Sequence, residues 1–265
     1  MTLLLTGDQL EKEAPAQNVI GFPVTALPFQ DQIALMLEWA SRRQSRVVCV
    51  ANVHMLTEAY QNQQFATVLK GADLVTPDGI PLVWMLRLLG FARQDRVAGL
   101  DILQALGEQA PQKGVSLFFL GAQPAVLDKM KVRLSREFPE LQVAGMEPLP
   151  FRPLTPEEDE DLIDRINQSG AGMVLVCLGC PKQEVWMAEH RDKISAVMVG
   201  LGGAFPVYAG LKKRAPWFVR MSGLEWLYRL IQEPRRLWRR YSSTIPLFIW
   251  LALNQLVETR RKATT

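Results

Sequence analysis

Short, almost entirely apolar runs alternate with amphipathic stretches between residues 45 and 200, and this alternation constrains the fold most. Strands without polar alternation are typical of parallel sheets covered on both faces by helices. The predicted strands are Ser45–Val53, Ala72–Thr76, Val115–Leu120, Leu141–Ala144, Gly172–Leu178 and Ala196–Val199. The predicted helices are Met55–Lys70, whose apolar residues lie three and four positions apart, Ile80–Leu89, Pro124–Phe138, one starting at Thr155, and Gln183–Asp192. The sequence therefore predicts an α/β fold with a mostly parallel sheet and helices on both faces.

Glycines, amides and single charges follow these strands. In parallel sheets, ligands bind beyond the carboxyl ends of the strands. The candidate ligand-binding residues at these ends are Asn52, Asp78, Gly79, Gly121, Gln123, Lys182, Gln183, Glu184, Gly202 and Gly203. Such groups are suited to a nucleotide sugar or a similar polar ligand.

Asp78 is the sharpest candidate for chemistry, because Pro77 and Gly79 would hold its carboxylate rigidly at the ligand rim. An N-cap of the following helix is the alternative interpretation, and the two roles are compatible. Gly121 resembles the first turn of a nucleotide-binding unit, although ordinary turn chemistry also explains a glycine there. The full G-x-G-x-x-G fingerprint and a P-loop are both missing, which disfavours a dinucleotide or ATP.

Two segments match known functional motifs, but their places in the predicted fold explain them better than a redox or metal-binding role does. Cys177 of the C-x-x-C pair Cys177/Cys180 lies inside an apolar strand pattern, which disfavours a redox pair or a zinc site. Asp159-Glu160-Asp161 matches the D-x-D of metal-dependent sugar transferases. It falls, however, in the first turns of a helix opened by Thr155-Pro156, where acidic residues favour the helix dipole. No obligatory metal and no cofactor are expected.

The formal charge of +3 is unevenly distributed. Residues 211–265 contain 12 Lys/Arg, 3 Asp/Glu and four of the seven tryptophans, whereas residues 1–210 have 18 Lys/Arg and 24 Asp/Glu. This change predicts a body of residues 1–210 and a basic, helical appendage of residues 211–265. Contact with an anionic membrane surface or lipid phosphate is favoured over single-stranded nucleic acid. An ordinary amphipathic helix that packs Leu224, Leu227 and Ile231 on the body is the plainer alternative.

The N-terminal sequence and the cysteine content predict a cytoplasmic protein. The N-terminus lacks the basic flank and apolar run of a signal peptide, and three cysteines suit a reduced chain. The longest clean apolar run, Ile245–Leu253, is about half of what a bilayer span requires.

Four ordered segments resemble the WecG/TagA/CpsF glycosyltransferases, and the resemblance runs from about Val19 to Tyr241. The segments are Ala72–Gly79, Arg96–Asp101, Gly179–Glu184 with Trp186, and Arg214–Pro216 continuing through Leu224–Leu230 to Glu233–Arg236. The resemblance implies a Rossmann-like domain with a C-terminal appendage that contacts the membrane and completes the active site.

The same resemblance implies an inverting, metal-independent transfer of an N-acetylmannosamine-type or related sugar. The donor is a UDP-sugar, and the acceptor is a sugar on a polyprenyl diphosphate, at the inner face of the cytoplasmic membrane, in cell-surface polysaccharide synthesis. Asp78 corresponds to the general base, while Asn52 and Gln183 match substrate-binding positions, and Arg96 belongs to a matching segment. The appendage arginines that correspond to diphosphate ligands are Arg214, Arg229, Arg235 and Arg236.

Two other classes of protein remain as alternatives to a glycosyltransferase. One is a nucleotide-binding oxidoreductase, which the missing glycine fingerprint disfavours. The other is a non-catalytic module that uses its basic tail on lipid or nucleic acid. No nucleic-acid partner is expected, and the oligomeric state is left open.

Overall fold

A computed structural model describes residues 15–150 and 152–263. Its strands are β1 Ala16–Val19, β2 Phe22–Thr25, β3 Arg46–Ala51, β4 Leu74–Pro77, β5 Leu117–Gly121, β6 Val143–Glu147, β7 Met173–Cys177 and β8 Val197–Gly200. Its α-helices are α1 Phe29–Ser41, α2 Val53–Gln61, α3 Gln63–Lys70, α4 Ile80–Leu88, α5 Gly99–Gln109, α6 Pro124–Glu137, α7 Pro156–Gln168, α8 Lys182–Glu189, α9 Ala204–Tyr208, α10 Trp217–Met221, α11 Glu225–Gln232 and α12 Pro234–Ala263.

A six-stranded parallel sheet flanked by helices confirms the predicted α/β class, with the strand order β4–β3–β8–β7–β5–β6. The interior strand β5 is buried throughout. Strand β8 pairs in parallel with β3, with Val197 opposite Arg46. Strand β6 lies at the edge, where none of its residues is fully buried. The predicted basic helical appendage is present as α10 to α12.

The described residues form two compact units, and the chain passes between them more than once. The first unit contains Gln30–Cys49 and Gly99–Lys213, and the second contains residues 15–29, Val50–Ala98 and 214–263. Strand β3 runs from the first unit into the second. The boundary at residue 210, which was drawn from charge, stays a prediction.

The sequence interpretation was wrong in detail at several elements. The single helix predicted for Met55–Lys70 is two helices, because Asn62 ends α2 and its Oδ1 accepts the Phe65 N–H of α3 at 3.1 Å. The predicted strand Leu141–Ala144 lies two residues further on, as β6. The β1–β2 hairpin was not anticipated. It turns at Ile20 and Gly21, whose φ values of 47° and 98° are typical of a two-residue hairpin loop.

The predicted start of a helix at Thr155 is confirmed by a complete capping box. The Thr155 hydroxyl accepts the Glu158 N–H at 3.2 Å, and a Glu158 carboxylate oxygen accepts the Thr155 N–H at 2.9 Å. Hydrogen bonds from Arg152 and from the Thr155 backbone lower the pKa of Glu158 to about 2. The acidic run Asp159–Asp161 therefore lies on helix α7, and Asp159 contacts the His190 ring at 3.0 Å.

In the second unit, helix α12 has one packed face and one exposed face. Leu237, Thr244, Phe248 and Ala252 are buried at helical spacing, whereas Trp250 is 59% exposed. The Gln255 side chain ties the helix to the β1–β2 hairpin, because its Oε1 accepts the Ile20 N–H at 2.7 Å. None of the helices in the described parts of the chain is long and apolar enough to cross a membrane.

We predict that Gly121→Ala destabilises the first unit more than Gly114→Ala does. Both glycines have positive φ, +86° and +64°, so alanine at either position costs about 1–3 kcal/mol in backbone strain. Only at Gly121 would the new Cβ lie 2.6 Å from the Cys177 carbonyl oxygen, whereas nothing lies within 4 Å at Gly114. We therefore expect Gly121→Ala to lose about 1–3 kcal/mol more, as in overpacked cores. Chemical denaturation measures both free energies of unfolding, and equal losses would contradict the steric explanation.

Candidate functional site

Asp78 lies directly after β4, in the second unit. Its backbone N–H donates to the Ala51 carbonyl at the end of β3, at 2.8 Å. The N-cap of α4 is Gly79 and makes no side-chain capping bond, so the N-cap interpretation of Asp78 is wrong. A Cβ placed on Gly79 would lie 3.5 Å from the Asn52 Cβ, so the two strand ends bring Asn52, Asp78 and Gly79 together as the sequence predicted.

The Arg96 guanidinium contacts both the backbone carbonyl and the carboxylate of Asp78. Its Nε donates to the Asp78 backbone carbonyl, and its Nη2 contacts the Asp78 Oδ1 at 3.0 Å. The next residue fixes the Arg96 loop, because the Val97 N–H donates to the Pro77 carbonyl at 3.0 Å. The Asp78 and Arg96 side chains are only 18% and 17% exposed, so this contact is largely shielded from water.

Two residues of α11 extend this contact into a cluster of four charges. The Glu225 Oε2 lies 2.8 Å from the Arg96 Nη1, and its Oε1 lies 2.7 Å from the Arg229 Nη2. We call Asp78, Arg96, Glu225 and Arg229 the Arg96 cluster. Its two cations and two anions balance, which favours the burial of Asp78, Arg96 and Glu225.

Burial and neighbouring charge set the protonation of the cluster in opposite directions for its two acids. Burial raises the pKa of the Asp78 carboxyl, although Arg96 and Arg229 act against it. Burial would also raise the pKa of Glu225, but Arg229 and Arg96 outweigh it, so that the pKa of Glu225 is lowered. Burial therefore favours the protonated form of Asp78, whereas the two arginines favour the ionised form of Glu225.

The other appendage arginines are distributed along the same unit. Arg229, Arg236 and Arg240 lie within electrostatic range of Tyr241, where burial raises the pKa of the phenol against their influence. Arg235 is exposed at the start of α12, and Arg236 pairs with Glu233 at 2.5 Å. Arg214 is partly exposed, three residues before α10. Arg229 interacts electrostatically with Asp78.

In the first unit, the buried Gln183 side chain makes hydrogen bonds within the protein. Its Oε1 accepts the backbone N–H groups of Gly179 and Gly202 at 3.1 and 3.2 Å, and its Nε2 donates to the Glu184 Oε1 at 2.7 Å. The Gln183 and Glu184 residues are 5% and 0% exposed. Gln183 thus braces two strand-end loops, one after β7 and one after β8.

The remaining strand-end candidates of the first unit differ in accessibility. Gln123, Lys182 and Gly203 are exposed, Gly202 is half-buried, and Gly121 is buried against β7. Cys177 ends β7 with its thiol donating to the Gly202 carbonyl at 3.3 Å, and burial raises the pKa of this thiol to about 12. That environment is unsuited to a reactive thiolate. In the described part of the chain, no group of three or more His, Cys, Asp or Glu side chains is placed to hold a metal ion.

A family comparison identifies the class of enzyme to which the chain belongs. The model of the glycosyl transferase WecG/TagA/CpsF family matches residues 17–262, so the chain belongs to this glycosyltransferase family. This membership favours a transferase over an oxidoreductase or a non-catalytic binding module.

Two curated relatives carry the same name, N-acetylglucosaminyldiphosphoundecaprenol N-acetyl-beta-D-mannosaminyltransferase. The protein of Bacillus spizizenii strain W23 is 35% identical over 238 residues, covering 87% of this chain and 90% of the relative. The protein of Bacillus subtilis strain 168 is 35% identical over 221 residues, covering 82% of each chain.

Glu225 is the residue of the cluster that sequence reasoning missed. Its spacing from Arg229, four positions apart in one helix, is a recognised signal for an ion pair. Its contact with Arg96 spans 129 positions of sequence and has no local signal. The contact of His54 with the charge of Arg240 likewise joins residues far apart in sequence: burial and this charge lower the pKa of His54 to about 4.

We predict that Glu184→Gln gains stability over the wild type as pH rises. Burial raises the pKa of Glu184 above its ordinary value of 4.5, so the folded carboxyl binds its proton more tightly than the unfolded one. The wild-type free energy of unfolding then falls with rising pH between 4.5 and the raised value, while a glutamine is unaffected. Exposed Glu160→Gln controls for the change in net charge. Urea unfolding across this pH range measures the difference, and a constant offset between Glu184→Gln and the wild type would contradict the prediction.

Proposed function

We propose that this protein transfers an N-acetylmannosamine-type sugar from a UDP-sugar to a sugar carried on a polyprenyl diphosphate, with inversion and without a metal. The proposal places the reaction at the inner face of the cytoplasmic membrane, in cell-surface polysaccharide synthesis. The names of the two relatives support the acceptor and the transferred sugar. The observation that carries the chemistry is the shielded Asp78 carboxylate at the end of β4, with the Arg96 guanidinium 3.0 Å away.

Inversion at the anomeric carbon requires one displacement. The acceptor hydroxyl gives its proton to the Asp78 carboxylate while its oxygen attacks the anomeric carbon. The bond between that carbon and the UDP oxygen breaks, and its electron pair leaves with UDP. Because Arg96 contacts Oδ1, Oδ2 is the oxygen that takes the proton in this scheme. A positioned general base typically contributes about 10²–10⁴-fold in rate.

The departing UDP carries developing negative charge, which cations must stabilise where no metal does so. Arginine is suited to this task because its planar fork binds phosphate oxygens bidentately. Arg229 is the appendage arginine whose place supports this role best, since it interacts electrostatically with Asp78 and its side chain is 47% exposed. Arg235 and Arg236 supply further positive charge on the same appendage, together with Arg214.

The glycines and amides of the first unit are proposed to hold the donor. Gln123, Lys182 and Gly203 are exposed and able to contact it directly. The proposed contribution of Gln183 is indirect, because its polar atoms are already hydrogen-bonded to Gly179, Gly202 and Glu184.

We predict that Asp78→Asn abolishes transfer while UDP binding largely survives. Loss of the base lowers kcat by about 10²–10⁴-fold, since the amide cannot accept the hydroxyl proton. Burial raises the pKa of Asp78, so the acidic limb of the wild-type kcat/KM profile should lie above the ordinary aspartate value of 3.8. The assay uses UDP-sugar and a synthetic polyprenyl-diphosphate sugar in EDTA. Asp128→Asn, an exposed aspartate of α6, is the control. Unimpaired turnover by Asp78→Asn would refute the assignment of the base.

The appendage presents the surface expected of a peripheral membrane protein. Trp217, Phe218, Ile231 and Trp238 are 68%, 67%, 73% and 65% exposed. Nine Lys/Arg residues lie between positions 212 and 240. Exposed aromatic side chains beside arginines are suited to the headgroup level of an anionic bilayer.

We predict that replacing Trp217, Phe218 and Trp238 together by serine weakens binding to anionic vesicles by about tenfold or more, since buried apolar area contributes to interfacial affinity. Deleting residues 211–265 is a less clean test, because it also removes the buried Leu237 and Phe248. Val132→Ser, at an apolar side chain of α6 that is 71% exposed, is the matched control. Cosedimentation with phosphatidylglycerol vesicles measures the effect, and equal binding of both variants would contradict membrane docking by this surface.

A further inference from the structure

Glu225 holds two arginines at once. Its Oε2 lies 2.8 Å from the Arg96 Nη1, and its Oε1 lies 2.7 Å from the Arg229 Nη2. The Glu225 side chain is 17% exposed, so these contacts are largely removed from water. Both carboxylate oxygens are therefore engaged with cations.

The planar guanidinium of Arg96 transmits this arrangement to Asp78. One edge of the fork contacts the Asp78 carboxylate and backbone carbonyl, and the remaining nitrogen contacts Glu225. Because the guanidinium group is rigid, fixing Nη1 fixes the direction in which Nη2 and Nε point. Through Arg96, the Asp78 carboxylate is thus linked to an acid of helix α11.

We propose that Glu225 is a positioning residue for the transfer reaction, which holds Arg96 against Asp78 and thereby sets the orientation of the Asp78 carboxylate. This inference rests on the proposed function, in which Asp78 is the base. Glu225 does not touch the reacting atoms; it acts through Arg96.

Charge explains why an acid occupies this position. Arg96 and Arg229 both stabilise the ionised form of Asp78, which would make it a weaker base. The negative charge of Glu225 acts in the opposite direction and raises the pKa of Asp78. Removing Glu225 should therefore make Asp78 both less well oriented and more acidic.

The test compares Glu225→Gln with Glu225→Asp and with Glu258→Gln, an exposed acid of α12 in the same unit. We expect Glu225→Gln to lower kcat/KM by about tenfold to a hundredfold, the range associated with a misplaced reacting group. The acidic limb of its kcat/KM profile should move to lower pH, and a carbon-13 titration of the Asp78 carboxyl should show the same direction. Glu225→Asp, which keeps the charge, should recover part of both effects, and Glu258→Gln should match the wild type.

The outcomes separate this inference from the proposed function. Turnover by Asp78→Asn at the wild-type rate would refute the base itself. An inactive Asp78→Asn, combined with a wild-type acidic limb and Asp78 titration in Glu225→Gln, would overturn the positioning role alone. If Glu225→Gln does not fold, as judged by circular dichroism, Glu225→Asp decides the matter. Its side chain is one methylene shorter, so a wild-type kcat/KM in that variant would refute positioning.

Discussion

The candidate site depends on the burial of one guanidinium. Arg96 is 17% exposed, and a cation removed from water to that degree is stable only with acceptors around it. Those acceptors come from the end of β4, through Asp78, and from α11, through Glu225. Removing either acid would leave a buried charge uncompensated, so the strand end and the helix are constrained together. The place of Asp78 follows from this demand as much as from its own backbone contact with Ala51.

Much of the fold was predictable, because an unbroken apolar run in the sequence indicates a buried strand. Runs such as Met173–Cys177 have no polar alternation, and the structure places them inside the sheet. The errors occurred where the decisive contact is local but subtle, or distant in sequence. Asn62 breaks a helix through a single side-chain hydrogen bond to Phe65. The β1–β2 hairpin is fixed in part by Gln255, which lies 235 positions from Ile20 and leaves no trace near the turn.

The candidate site shows the same division between local and distant information. The strand-end rule predicted Asn52, Asp78 and Gly79 as neighbours, because the carboxyl ends of neighbouring parallel strands lie side by side. It also selected Gln183, since an amide after a strand has the same pattern whether it binds a ligand or braces a loop. Only the distances to Gly179 and Gly202 show that its carbonyl oxygen is already used. The role of Glu225 was not predicted, because an acid in a basic tail resembles a solvent-exposed residue unless its contact with Arg96 is known.

The positive charges of the appendage are not all unpaired at its surface. Arg229 is bound to Glu225, and Arg236 is paired with Glu233, so part of the excess is balanced inside the appendage. The apolar residues follow a similar division, since Leu237 and Phe248 are buried while Trp217 and Trp238 face outward. A sequence that only needed to pack would bury its tryptophans and leave its acids exposed. Here the acid Glu225 lies inside and the tryptophans outside, which is the arrangement required if the inner face of the appendage serves the carboxylate and its outer face serves an interface.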